Sequence, residues 1–406
     1  MKLLERRVVI MQENLNSKSN AQMAINDYLS LLQIKYDCET VYGLIKSLQQ
    51  DGVTGFGIIP YLTLTVATTL EMLSSNDIKI EIPYSAQIKD IRMKLKIFEN
   101  GYSKSKRMLL GIDYLQNEIF KNQLTFSFMK NWNIHYNLGI YTNKDKIVIG
   151  NTQYNYYLLQ DNRFLKKNLH EIATAYETSP NKFNLDEQVG KECYQYAYTC
   201  GKFINSIRSG LEQFDIPVTI NSNKNHVNFY YADYNTNRKS AFLPQGENGK
   251  ATFLYLLHTL STINFLLYVL NDYEKDDYGW WLKINYIVYY YSIHKLTDLY
   301  EHFVQNKLMT QNISDYLNEI DVKNAKLMNS TFRNCMMHSS LADKNGNSII
   351  SSSNFDKSKP LFGLVETCFD GMSYKELKNS LILEMKRISN ILSQWLGTQS
   401  LCIKPL

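Results

Sequence analysis

Ala251-Thr252-Phe253-Leu254-Tyr255-Leu256-Leu257-His258-Thr259-Leu260-Ser261-Thr262-Ile263-Asn264-Phe265-Leu266-Leu267-Tyr268-Val269-Leu270 carries no formal charge over a length that could span a bilayer. Thr252, His258, Thr259, Ser261, Thr262 and Asn264 nevertheless make one side of it polar. A helix of that kind suits the centre of a bundle better than lipid, so no membrane contact is expected. Three more helical patterns follow, at about 276–308, 311–340 and 373–397. The last opens on Ser373-Tyr374-Lys375-Glu376, the Ser-x-x-Glu spacing of a capping box. Residues 241–406 therefore read as a helical bundle, in a chain that is mainly α.

Upstream, residues 1–240 read as a mainly helical domain with a small β element. Residues 1–20 end in the polar lead-in Asn-Ser-Lys-Ser-Asn, and Ala21–Gln50 repeats apolar residues at helical spacing. Asp51–Gly57 is a glycine-rich loop that lacks the Gly-Lys-Ser/Thr ending of a phosphate-binding loop. Pro60 then opens a helix to about Leu73. Ala86–Asn100, which is basic, and Ser103–Lys121 continue the helical pattern. Leu124–Met129, Asn133–Tyr141 and Lys146–Tyr157 are rich in aromatic and β-branched residues and are split by Thr142-Asn143-Lys144-Asp145, which predicts an antiparallel hairpin or meander. Residues 161–178 and 184–213 return to helix, and Val218–Ile220 and His226–Tyr231 are short strand candidates. Loop-like composition from Asp233 to Lys250 places a domain boundary there.

Composition narrows the chemistry. A formal charge of +5 permits nucleic-acid binding without requiring it. The 30 tyrosines recur at helical spacing and read as packing residues with one wet end. The 6 cysteines show no C-x2-C pair, so reduced thiols in a cytosol are expected. The first residues, Met1 to Met11, lack the apolar core of a signal peptide, which agrees with a cytoplasmic chain. No Gly-x-Ser-x-Gly elbow and no His-Glu-x-x-His pair is present, and no metal or cofactor is expected.

One constellation remains, in Thr331-Phe332-Arg333-Asn334-Cys335-Met336-Met337-His338-Ser339-Ser340. Arg333 offers a fixed cation, Asn334 an amide and His338 a proton-transfer group. On a helix Asn334 and His338 share a face, and Lys326 would stand on the Arg333 stripe. Cys335 reads as a packed thiol.

Arg333-Asn334-x3-His338 resembles the Arg-x4–6-His motif of the HEPN (higher eukaryotes and prokaryotes nucleotide-binding) ribonucleases, an all-helical superfamily of toxins, abortive-infection proteins and antiviral-defence effectors. The resemblance covers about residues 250–398 and implies an HEPN-like bundle. It implies a metal-independent endoribonuclease that uses the RNA 2′-hydroxyl, with Arg333, His338 and Asn334 catalytic and Lys326 on an RNA phosphate. It also implies a homodimer with a composite active site, and an antitoxin or activating partner. Position 340 is Ser340 where antitoxin-modified relatives resemble Arg-x4-His-x-Tyr, so that tyrosine modification does not carry over. A second spacing match, Arg163-x6-His170, has Phe164 where asparagine is expected. The alternative reading is a catalytically silent module that binds nucleotide, RNA or a protein partner. The long loop 341–372 after His338 could gate a site or simply connect helices.

Overall fold

The computed structural model of the chain describes residues 25–48, 52–75, 91–92, 94–125, 138–150, 185–211, 227–234, 246–273, 278–320, 326–343, 347–398 and 404–405. The lead-in 1–20, the helix expected at 161–178 with Arg163 and His170, and the strand expected at Val218–Ile220 lie outside the described residues. In chain order the elements are α1 (Ile25–Ser47), α2 (Gly52–Gly57), α3 (Ile59–Ser75), α4 (Lys96–Glu99), α5 (Tyr102–Thr125), β1 (Leu138–Asn143), β2 (Lys146–Gly150), α6 (Leu185–Gly210) and β3 (Tyr230–Tyr234). They continue with α7 (Gly246–Tyr268), α8 (Trp280–Gln305), α9 (Gln311–Ile320), α10 (Ser330–His338), α11 (Leu364–Cys368), α12 (Tyr374–Leu396) and β4 (Lys404–Pro405). The protein is thus mainly α with a small antiparallel sheet, the class expected from the sequence.

Helix α7 lies at the centre. A stretch within Asn248–Asp272 is long and apolar enough to cross a membrane, yet 94% of it is buried inside the protein. Two of its threonines bond back within the helix: Thr259 Oγ1 donates to the Tyr255 carbonyl (3.0 Å) and Thr262 Oγ1 to the His258 carbonyl (2.8 Å). Asn264 reaches further, donating to the Ile147 carbonyl of β2 (2.9 Å) and accepting from Ser389 Oγ of α12 (2.5 Å). One polar stripe therefore ties the central helix to the sheet and to the last helix, where an unpaired amide would be costly.

The sheet has the order β2-β1-β3-β4, all antiparallel. Lys144 and Asp145 join β1 to β2 with positive φ values of 49° and 59°, as a two-residue turn of the type I′ kind requires. Ile140, Ile147, Val148 and Ile149 are buried, and β2 packs on α7. Helices from both sides of the expected boundary near residue 241 share one apolar core: α7 packs on β2 and α5, and α8 packs on α5 and α1.

Several local expectations need correction. Gly52–Gly57, expected as loop, is the short helix α2, and the Phe265 ring lies so close to Gly57 that a Cβ there would sit 2.1 Å from it. In the basic segment expected as helix over Ala86–Asn100, residues 86–90 and 93 lie outside the described residues, and the described ones are helical up to α4, which ends at Asn100 in extended conformation. Leu124 and Thr125, expected as strand, finish α5. The helix expected over 311–340 is two helices. Asn329 caps a new start, its Oδ1 accepting from the Phe332 N–H at 2.8 Å, and Lys326 and Leu327 form a turn before it. Helix α12 starts as expected, with the Ser373/Glu376 capping box formed, and ends on Gly397 at φ 63°.

Candidate active site

Helix α10 is nine residues long and is held at both ends. At its start, the Tyr286 hydroxyl of α8 takes the Asn329 N–H at 2.8 Å and donates to the Leu327 carbonyl at 3.1 Å. Asn329 Nδ2 donates to the Cys368 carbonyl at 2.7 Å. Phe332, Cys335, Met336 and Met337 bury one side, with Phe332 edge-on to Tyr286 at 4.6 Å. At its end Ser339 adopts a left-handed conformation, φ 47°, and its hydroxyl accepts from the buried Lys283 Nζ at 2.7 Å. The packed side fixes the opposite, exposed side, which carries Asn334 and His338.

His338 has 51% of its side chain exposed, and its Nδ1 lies 2.5 Å from Glu71 Oε2 on α3. Glu71 Oε1 in turn meets Arg92 Nη2 at 3.0 Å. Burial pushes the Glu71 carboxyl up. The hydrogen bond to His338 and the charges of His338, Arg92 and Lys96 outweigh it and hold Glu71 below the usual glutamate range. A carboxylate on Nδ1 sets the tilt of the imidazole and leaves Nε2 directed away from that bond. Asn334, which shares the His338 face as the spacing implied, is exposed and makes no side-chain hydrogen bond among the described residues. Glu71 holds the ring instead. Asp298, on α8, accepts from the Tyr102 N–H.

Arg333 turns toward α8. Its guanidinium carbon lies 5.3 Å from the Tyr290 ring centre and 5.8 Å from that of Tyr291. Its Nε–H is buried with no acceptor among the described residues. The Tyr291 hydroxyl is pushed up to about 12, by burial first and then by the Glu99 carboxylate, against the opposing Arg333 charge. His338 stands five positions after Arg333 on the helix, so their side chains leave α10 on different sides, with Asn334 between them. Lys326 is exposed in the turn before α10, off the helical stripe expected to align it with Arg333.

Cys335 is a packed thiol, as its neighbours implied: burial pushes it up to about 12, far from a thiolate nucleophile. Among the described residues, no group of three or more His, Cys, Asp and Glu side chains is placed to hold a metal ion. Sequence reasoning missed two neighbours of the motif. Glu71 is 267 positions from His338, and nothing in its local sequence marks it. His294, an exposed residue of α8, has its ring centre 4.7 Å from that of Tyr290, the ring under Arg333. Set against protein-family models, curated proteins and solved structures, the chain matches none of them.

Proposed function

We propose that this chain is a metal-independent endoribonuclease of the HEPN kind, acting in phage defence, as a toxin or in another stress response. The observation that carries the reading is the Glu71-oriented, half-exposed imidazole of His338 on the same short helix as Arg333. A proton-transfer group needs a fixed ring with one nitrogen open to substrate, and Nε2 of His338 meets that need. Developing phosphorane charge needs a fixed cation, and the Arg333 guanidinium, held against the Tyr290 and Tyr291 rings, supplies one. Asn334, which makes no side-chain hydrogen bond among the described residues, supplies an amide for a phosphate oxygen, and the exposed Lys326 is a more distant phosphate contact.

In this reading the RNA 2′-hydroxyl attacks the neighbouring phosphorus, the P–O5′ bond breaks, and a 2′,3′-cyclic phosphate and a 5′-hydroxyl result. By the HEPN resemblance, two such helix ends would meet across a homodimer axis. The second reading is a module that binds nucleotide, RNA or a protein partner without cutting. The stacking of Arg333 on Tyr290 and Tyr291 favours it, because a guanidinium so occupied also serves packing. Purified protein incubated with RNA, beside Arg333→Ala and His338→Ala, separates the two. Each variant loses at least ~10²-fold in cleavage rate under the first reading, the lower range for a lost acid–base group. A parent protein that binds RNA and never cuts it supports the second.

A further inference from the structure

An RNA strand brings negative phosphates on either side of the one that is cut, and these need cations beside the reacting helix. Lys326 stands off in the turn before α10. The basic segment that leads into α4 has three described cations, and they face different ways. Lys94 Nζ lies 5.4 Å from the Tyr196 ring centre, toward α6. Lys96 pairs with Glu99 of its own helix. Arg92 reaches the α3 carboxylate that orients His338. Its Nη2 is 3.0 Å from Glu71 Oε1, and His338 Nδ1 is 2.5 Å from Glu71 Oε2. Guanidinium and imidazole therefore stand side by side, on the two oxygens of one carboxylate.

We propose that Arg92 is a phosphate-binding residue for the RNA, holding the backbone beside the scissile phosphate while His338 and Arg333 act on the bond itself. The inference deepens the ribonuclease reading and rests on its placement of RNA at His338. It adds no residue to the bond-breaking step. It holds for each chain of a homodimer, because Arg92 and His338 are joined through Glu71 within one chain. A contact to phosphate positions the strand and reads no base sequence.

Geometry and exposure suit that role. The Arg92 side chain is 74% exposed and that of Glu71 only 21%. A guanidinium carries five N–H donors in a planar fork that matches phosphate oxygens. The Nη2 side meets Glu71, and the large exposure leaves the rest of the fork open to solvent. So exposed an ion pair contributes little to stability and leaves the cation able to take a phosphate oxygen as well. Glu71 has His338 and Arg92 on its two oxygens, so an approaching phosphate meets the imidazole and the guanidinium before the carboxylate. Lys96, itself largely exposed, adds a second positive charge on the same segment. Its partner Glu99 acts on Tyr291, one of the rings under Arg333. The stretch from Arg92 to Glu99 thus borders both the His338 side and the Arg333 side of the site.

The test is binding of a mixed-sequence, single-stranded 2′-O-methyl RNA oligonucleotide, which keeps every phosphate and has no free 2′-hydroxyl to attack with. Fluorescence anisotropy over a series of KCl concentrations compares the full chain with Arg92→Gln, Arg92→Lys and a control, Lys144→Gln. Lys144 is a similarly exposed cation, paired with Asp272. Folding is checked by circular dichroism. Arg92→Gln binds about tenfold more weakly at low salt, and its plot of log affinity against log salt is shallower by about 0.7, as for one lost single-strand contact. Arg92→Lys keeps the parental slope, and Lys144→Gln matches the parent. Parent-like affinity and slope in Arg92→Gln overturn the inference, as does an equal loss in Lys144→Gln or a parent with no salt-dependent binding. A role confined to propping Glu71 gives the reverse pattern, slower cleavage of unmodified RNA at saturation with the parental slope, and overturns it too. A parent that binds through Arg92 yet leaves unmodified RNA intact overturns the ribonuclease reading and keeps the phosphate contact. A parent that cuts RNA while Arg92→Gln binds unchanged overturns this inference alone.

Discussion

Lys283 Nζ stands 2.7 Å from the Ser339 hydroxyl, one residue past His338, and 2.9 Å from Asp37 Oδ2, all in the buried interior. Thr68 Oγ1 completes the ammonium's shell at 3.0 Å, and Gln33 donates to the other Asp37 oxygen at 2.9 Å. This cluster joins α1, α3 and α8 to the left-handed end of α10, and so fixes where His338 begins its reach toward Glu71.

The first prediction follows from that cluster. Lys283→Met leaves a carboxylate buried beside no cation, so unfolding in urea shows a loss of about 3–5 kcal/mol. Adding Asp37→Leu removes the stranded charge and recovers most of it. A loss below about 1 kcal/mol in the single variant would mean the cluster does not hold the helices.

Glu71→Gln gives a contrasting result. Glu71 lies near the surface, where an ion pair contributes little, and stability changes by less than about 1 kcal/mol. Cleavage falls about tenfold to a hundredfold, part of what an acid–base group supplies, because the imidazole loses its anchor. Unchanged turnover with the ring released would detach Glu71 from the mechanism.

Much of the scaffold was legible from residue pattern, and the site was legible only in part. The Ser373/Glu376 box, the largely buried α7 and the hairpin turn at Lys144-Asp145 follow from local chemistry that a sequence displays. The break before α10 was hidden because apolar spacing continues across 311–340, whereas the cap that restarts the helix needs Asn329 to meet Cys368. Glycine content at 52–57 suggested loop, but these residues are helical, and the close approach of Phe265 accounts for Gly57. Arg333 and His338 stood out by spacing. Their neighbours Glu71, Tyr290 and His294 come from other helices, and only tertiary packing assembles them.

A third prediction concerns pH. Lys295 is buried, donates to the Ile97 carbonyl at 2.8 Å, and is pushed down to about 7 by burial. An unfolded lysine titrates near ~10.4. Between these values the unfolded chain binds one proton more, so stability rises with pH, by up to about 1.4 kcal/mol per pH unit. This contribution is complete above the unfolded value and is lost as pH falls toward 7. Buried Cys38, Cys200 and Cys335 oppose it at higher pH, since burial raises their thiols. The parent and Lys295→Met share those thiols, so the difference between their stabilities from pH 7 to 8.5 isolates the lysine. Parallel curves would place the Lys295 charge elsewhere.

The central claim is that His338 and Arg333 cut RNA through its own 2′-hydroxyl, and one substrate pair tests it most directly. An RNA oligonucleotide and the same oligonucleotide with a single 2′-deoxy sugar at the cut position are incubated in EDTA with the parent, Arg333→Ala and His338→Ala. The account predicts that the parent cuts the RNA, leaves a 2′,3′-cyclic phosphate and spares the deoxy substrate, while each variant is slower by at least ~10²-fold. Cleavage of the deoxy substrate at the parental rate, or full activity in a folded His338→Ala protein, would contradict it.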